Sequence, residues 1–307
     1  MSLFTLTNPQ LSLKVSTHGG SIIQLVAHRN GADLPLLRPA KVSPDTPPLQ
    51  SGCFPLVPFG NRVNGNQFDF DGTRYPLKPN TDWDAHYLHG DGWLQEWRCA
   101  EHDDWHLLLE FSHHHGAYQY RALQRFELVD NQLEVTLSVT NLGKVAMPFG
   151  LGWHPYFPLD EDTQLQANAA GYWLEEAQWL AGEHQADLPE DVQFSTAKTL
   201  PRRWVNNGFS GWDGQAKIIW PSHQQQLSLS TEPACPVYFV FVSDPKFDRG
   251  YDFDFFCFEP MSHAANGHNM ADLGGLKVLE PHETLTQTMT LTSESTLTPT
   301  TTGEEQQ

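Results

Sequence analysis

Period-two alternation is the feature that most limits what this chain can become. Leu133, Val135, Leu137 and Val139 alternate with Glu134, Thr136, Ser138 and Thr140. Successive side chains of an extended strand point to opposite faces, so this run has one apolar and one wet face. Near the end, Leu285, Met289 and Leu291 alternate with threonines, and Gln287 interrupts the apolar face. Leu107-Leu-Leu-Glu-Phe111 is a further strand candidate. Val237-Tyr-Phe-Val-Phe-Val242 is apolar throughout, which predicts a strand covered on both faces. No window carries the spacing and caps of a long amphipathic helix, and only short helical turns are expected near Trp173 to Leu180. Gly19-Gly20, Asp71-Gly72 and Asn207-Gly208 read as turns. Strand patterns punctuated by 22 Pro and 23 Gly predict an all-β fold, a sandwich or a barrel.

Neither an internal repeat nor a linker divides the chain, so residues 1–292 are expected to form one domain. Ser293 to Gln307, rich in Thr, Glu and Gln with almost no apolar residues, is expected to be a disordered C-terminal tail. With 18 Lys+Arg against 37 Asp+Glu, the net charge of -19 repels phosphate backbones and anionic membranes. The expected partner is therefore a small molecule, neutral or held as an anion in a local basic pocket, not nucleic acid or a membrane, with a monomer or dimer both admissible. The four cysteines form no C-x-x-C pair and no zinc-ligand spacing. No signal peptide or membrane span stands out, so a reduced, cytoplasmic protein is expected.

Five segments depart from ordinary strand-and-turn sequence. In Pro55-Leu-Val-Pro-Phe-Gly-Asn-Arg-Val63, the Arg62 guanidinium beside Asn61 can donate several hydrogen bonds to sugar hydroxyls, or close a surface salt bridge. In Leu88-His-Gly-Asp-Gly-Trp93, two glycines let backbone approach a ligand near His89, and Trp93 can offer a ring face. The bland reading is a polar turn with a packed Trp. In Phe149-Gly-Leu-Gly-Trp-His-Pro-Tyr-Phe157, an extended backbone puts Gly150, Gly152, His154 and Tyr156 on one face. The glycines would clear space beside the imidazole, unless His154 is simply a satisfied core histidine. In Asn206-Asn-Gly-Phe-Ser-Gly-Trp-Asp-Gly214, Asp213 can accept from two hydroxyls or close an Asx turn. In Phe255-Phe-Cys-Phe-Glu-Pro-Met-Ser-His263, Glu259 ends an aromatic run. A carboxylate there is either ion-paired or held at a raised pKa suited to a general base. His113-His-His115 is a poor chelate, because neighbouring strand residues face opposite ways.

Together and in order, these segments resemble the aldose 1-epimerase (galactose mutarotase-like) family, from about Gly19-Gly20 to about Leu291. The resemblance implies a single-domain β-supersandwich with a cleft on a concave sheet. It implies Glu259 as general base, His154 as general acid and His89 assisting at the ring oxygen. Arg62 and Asp213 would hold hydroxyls, with Asn61 and Trp93 beside them. The segment after His89 is shorter than the Gly-rich run of galactose-type members, which leaves the sugar open. Anomerisation moves protons between the C1 hydroxyl and the ring oxygen. One carboxylate and one imidazole therefore suffice, with no cofactor and no metal. Two other classes stay open: a glycosidase using Asp213 and Glu259, and a non-catalytic carbohydrate-binding protein.

Overall fold

The computed structural model describes residues 1–29 and 31–296. Its regular structure is almost entirely antiparallel strand, with only short 3-10 turns between. Two large sheets dominate. The nine-stranded sheet runs, in spatial order, through Lys198–Thr199, Gln164–Ala167, Gln215–Trp220, Gln225–Glu232, Thr284–Ser295, Gln132–Asn141, Tyr120–Val129, His106–His113 and Arg98–His102. The eight-stranded sheet runs through Ala181–Gln185, Gly171–Glu175, Val205–Ser210, Val237–Val242, Phe255–Met261, Gly152–Trp153 and Pro55–Leu56, with Tyr156–Pro158 also paired to Phe255–Met261. A four-stranded N-terminal sheet spans Leu3–Thr7, Leu11–Ser16, Ile22–Arg29 and Ala32–Pro35.

The alternation at Leu133 to Val139 forms the expected half-buried strand. Its four apolar residues are fully buried and its polar residues half-exposed. Each such side chain withdrawn from water contributes roughly 1.5–3 kcal/mol. Leu133 and Val135 pair in register with Leu291 and Met289. Leu137 pairs with Gln287, the residue that breaks the apolar pattern. Gln287 is buried and its amide donates to the Pro233 carbonyl, so the polar group is satisfied inside.

Val237–Val242 is covered on both faces, as its composition requires. Tyr238, Val240 and Val242 join the main core, while Val237 and Phe239 join a second apolar cluster on the other face. The adjacent strand Phe255–Met261 divides the same way. Phe256 and Phe258 enter the main core; Cys257 and Met261 enter the second cluster, and Glu259 stands between them on that face.

Three expectations need correction. Asn207-Gly208 is no turn; it lies inside strand Val205–Ser210, paired to Val240 and Phe239. Gly208 is small because the Trp173 ring lies over it, where a Cβ would come to 3.2 Å. The helical turn is confined to Ala177–Trp179, since Trp173 belongs to strand Gly171–Glu175. The last strand runs to Ser295, past the expected boundary at 292. Ser293 and Ser295 pair with Leu227 and Gln225, because the neighbouring strand still offers free ladder positions there. Residues 297–307 of the expected tail lie outside the described residues.

Candidate active site

Glu259 is placed by strand alternation. It stands directly opposite Phe239 on the face turned away from the main core, and it is 2% exposed. Burial raises its carboxyl to about 8, against the pull of the Arg62 cation. One oxygen, Oε1, lies 3.3 Å from His154 Nε2. The other, Oε2, has no hydrogen-bond partner among the described residues.

His154 sits in the gap between Gly152–Trp153 and Tyr156–Pro158, where pairing to Phe255–Met261 lapses. Its backbone N–H donates to the Phe54 carbonyl. Its ring packs against Phe54 at 4.6 Å and Tyr156 at 4.7 Å, two rings that also touch each other at 6.2 Å. Burial, with Arg38 next, lowers the imidazole to about 3. Both shifts work against charge separation, so near neutrality both groups of the pair are uncharged. His154 Nδ1 also lacks a partner among the described residues. Two orphaned polar atoms on facing groups are costly in a buried site unless a polar ligand uses them.

His89 meets His154 edge-on, with ring centroids 5.2 Å apart. It is held by Asn61 twice. The Asn61 N–H donates to His89 Nδ1 at 3.0 Å, and the His89 N–H donates to the Asn61 carbonyl at 3.0 Å. Both residues have positive φ, 63° and 59°, an uncommon state for non-glycine residues that often marks functional sites. A backbone N–H only donates, so Nδ1 is the acceptor and the His89 proton resides on Nε2. Burial, His154 and Arg62 keep that ring neutral, its pKa well below the ordinary value.

This tautomer makes His89 ill-suited to ligate a cation. The ligand atoms of His89, His154 and Glu259 lie within 4.8 Å of one another. His89 Nδ1 is occupied and Nε2 carries a proton, so the ring offers no lone pair to a cation. The three residues form a set of hydrogen-bond donors and acceptors.

Arg62 reaches the site from the same loop. Its Nε and Nη2 bond Asp84 Oδ2 at 2.9 and 2.7 Å, and its guanidinium lies 5.3 Å from the Trp179 ring centroid. Asp84 Oδ1 accepts from the His86 N–H, so this carboxylate is committed on both oxygens.

Residues 2–292 match the family model described as Aldose 1-epimerase. The chain belongs to the aldose 1-epimerase family. It is 52% identical over 291 residues to Uncharacterized protein YphB of Escherichia coli (strain K12), covering 95% of this chain and 98% of that protein. A crystal structure of an Escherichia coli K12 protein superposes with TM-score 0.92 at 51% identity, over 96% of this chain and 99% of that one. The galactose 1-epimerase of Lactobacillus acidophilus NCFM superposes with TM-score 0.74 at 17% identity, over 95% and 94% of the chains, a likeness of fold.

The aldose 1-epimerase match covers every residue of the cluster, but not every expected site residue belongs to it. Asp213 is exposed in a turn, where Oδ1 accepts from the Gln215 N–H and Oδ2 from the Asn168 amide; it contacts none of the cluster residues. The Asx turn wins because the following glycine, Gly214, has φ +78° and lets the chain reverse there. Trp93 is 2% exposed, stacked on Phe54 and donating to the Leu88 carbonyl, so it supports the site from beneath and has no open ring face. The Asn61 side chain accepts from the Arg62 N–H, so Asn61 shapes the loop. Gly150 and Gly152 clear space for protein. A Cβ on Gly150 would lie 2.2 Å from His263 Nδ1, and one on Gly152 2.6 Å from the Pro260 carbonyl.

Sequence reasoning passed over Asp84, Trp179, Phe54 and Arg38. None lies in the segments singled out around the cluster's histidines and Glu259, apart from Phe54, which borders the first. Only Phe54, beside the Pro-rich loop, had a local signal.

Proposed function

We propose that this family member is a mutarotase that interconverts the α and β anomers of a free aldose. The observation that carries the reading is the buried Glu259–His154 pair, 3.3 Å apart and presenting one unpartnered atom on each group. The C1 hydroxyl would donate to Glu259 while the ring oxygen accepts from His154. Those two contacts favour the tautomer with the proton on His154. Glu259 then takes the hydroxyl proton as His154 delivers its own to the ring oxygen, and the C1–ring-oxygen bond breaks. The open aldehyde rotates about C1–C2, and closure on the other face returns both protons. His89 Nε2–H would donate to the same ring oxygen, and Arg62 would hold a hydroxyl.

The protein's part in this reaction is proton transfer within this set. A glycosidase would need a second carboxylate flanking the bond. The position of Asp213 outside the cluster and the engagement of both Asp84 oxygens favour anomerisation. Four free thiols, three of them buried, fit a reducing cytoplasm. No helix of the described residues is long and apolar enough to cross a membrane.

Polarimetry on a panel of freshly dissolved pure anomers tests the reading. Acceleration of the drift to equilibrium for at least one aldose is expected. Tight binding of sugars without any acceleration would make this a carbohydrate-binding protein instead.

A further inference from the structure

We propose that Trp179 is a positioning residue for Arg62, held over it by a tie that Gln178 makes to the opposite side of the site. The inference rests on the reading of Arg62 as the group that holds a substrate hydroxyl, but its geometry stands by itself. Gln178 and Trp179 lie at the tip of the hairpin joining Gly171–Glu175 to Ala181–Gln185. The Glu176 N–H closes that tip by donating to the Leu180 carbonyl at 2.8 Å. The hairpin stands at one edge of the eight-stranded sheet, and Pro55–Leu56, which leads into the Arg62 loop, forms the other. Glu259 lies on a strand between the two edges.

The tip nonetheless reaches across. Gln178 Oε1 accepts from His86 Nε2 at 3.1 Å, and the His86 N–H donates to Asp84 Oδ1 at 2.8 Å. Asp84 Oδ2 accepts from Nε and Nη2 of Arg62. The Arg62 guanidinium carbon lies over the Trp179 ring, 5.3 Å from its centroid. These contacts join Arg62, Asp84, His86, Gln178 and Trp179 in a closed ring. The Trp179 ring is backed by Phe247, edge-on at 5.4 Å, and Phe247 packs on Trp204 and Phe241. Phe241 shares a strand face with Phe239, the residue opposite Glu259. Gln178 and Trp179 both have φ 60°. Two successive left-handed residues that are not glycine persist only where the surrounding contacts over-determine them.

Asp84 by itself grips Arg62 loosely. A fork-on-fork pair would use both carboxylate oxygens, but here both bonds go to Oδ2 because His86 engages Oδ1. A guanidinium held on one oxygen can pivot about it. The Trp179 ring attracts the cation from another direction and opposes that pivot. Nη1 has no partner among the described residues, so it is the donor that the two restraints keep in place for a hydroxyl. The same charge bears on the whole cluster: after burial, it is among the causes that act on Glu259, His89 and His154, lowering each.

The test uses Trp179→Ala, Trp179→Phe and Gln178→Ala in the full-length protein, with folding checked by thermal melting. Nitrogen NMR relaxation of the Arg62 Nε–H reads the tether without any sugar. Its order parameter should be near the rigid value of about 0.85 in the wild type and fall below about 0.6 in Trp179→Ala. Trp179→Phe, which keeps a ring, and Gln178→Ala, which cuts the tie to His86, should fall between. For the aldose that the wild type accelerates most, KM should rise about fivefold or more in Trp179→Ala, with kcat within about twofold. In an Arg62→Lys background, Trp179→Ala should change KM by less than about twofold, because the side chain it positions is gone. If Trp179→Ala does not fold, the other two variants carry the test. A wild-type order parameter in the folded variants, or an equal KM effect in both backgrounds, would overturn the proposal. A wild-type protein that accelerates no sugar would sink the mutarotase reading and leave the order parameters to decide the tether.

Discussion

Oε1 of Glu259 and Nε2 of His154 lie 3.3 Å apart, and each group's other polar atom has no partner among the described residues. A pair built this way acts as a unit. Glu259→Gln and His154→Asn should each lower kcat by on the order of a hundredfold or more. The double variant should be far less damaged than the product of the two. Polarimetry at saturating sugar checks this, and a Glu259→Gln enzyme with most of its rate would remove Glu259 as the base.

Stability should report the same carboxyl. A group whose pKa is higher folded than unfolded stabilises the fold below the unfolded value, here 4.5. That contribution is lost as pH rises toward about 8. Glu259→Gln removes the loss, so the variant should gain on the wild type between pH 5 and 8.5, by at least about 1 kcal/mol for each pH unit of displacement. Thermal melts at the two pH values measure it; a gap that does not change with pH contradicts the raised carboxyl.

Asn61 and His89 depend on backbone that few residues adopt. Asn61→Gly keeps the N–H that bonds His89 Nδ1 and suits the positive φ, so activity should stay within a few-fold of wild type. Asn61→Val forces a branched residue into that conformation and should cost about 1–3 kcal/mol. Its kcat should fall as His89 loses its fixed tautomer. Melting temperatures and kcat, measured side by side, separate the two variants.

Gly150→Ala separates two explanations of that glycine. If its role is to admit the His263 ring, a Cβ 2.2 Å from Nδ1 should destabilise the protein by about 1–3 kcal/mol. If it cleared space for sugar, the variant would melt normally and show a raised KM. The first outcome is expected.

Asp213→Ala should lose an Asx turn and little else. A stability cost of roughly 0.5–1 kcal/mol and a kcat/KM within about twofold of wild type are expected. A large loss of turnover would return Asp213 to the site.

Much of the architecture was legible because strand burial leaves a local trace. The alternation from Leu133 to Val139 and the unbroken apolar run from Val237 to Val242 each predicted which faces are covered, and the sheets cover those faces. Asn207-Gly208 misled because the same dipeptide serves a tight turn or a strand crossed by a large ring, and Trp173 lies far away in the chain. Ser293 to Ser295 misled because polar composition predicts disorder only where no neighbouring strand offers hydrogen bonds.

By itself, the sequence determined the all-β class, the family and the placement of His89, His154 and Glu259 in segments of unusual composition. Those are properties of residue order and local spacing. Only the tertiary structure decided that these three meet, that Asp213 stays apart, and that Trp93 is packed beneath them. It alone brought Arg38 onto Tyr156 and Asp84 onto Arg62. The reason is physical: a side chain's partners across a sheet depend on strand register and order, which bring together residues from twenty to more than a hundred positions apart. Hydrogen bonds and stacked rings act over a few ångströms, so no pattern along the chain encodes them.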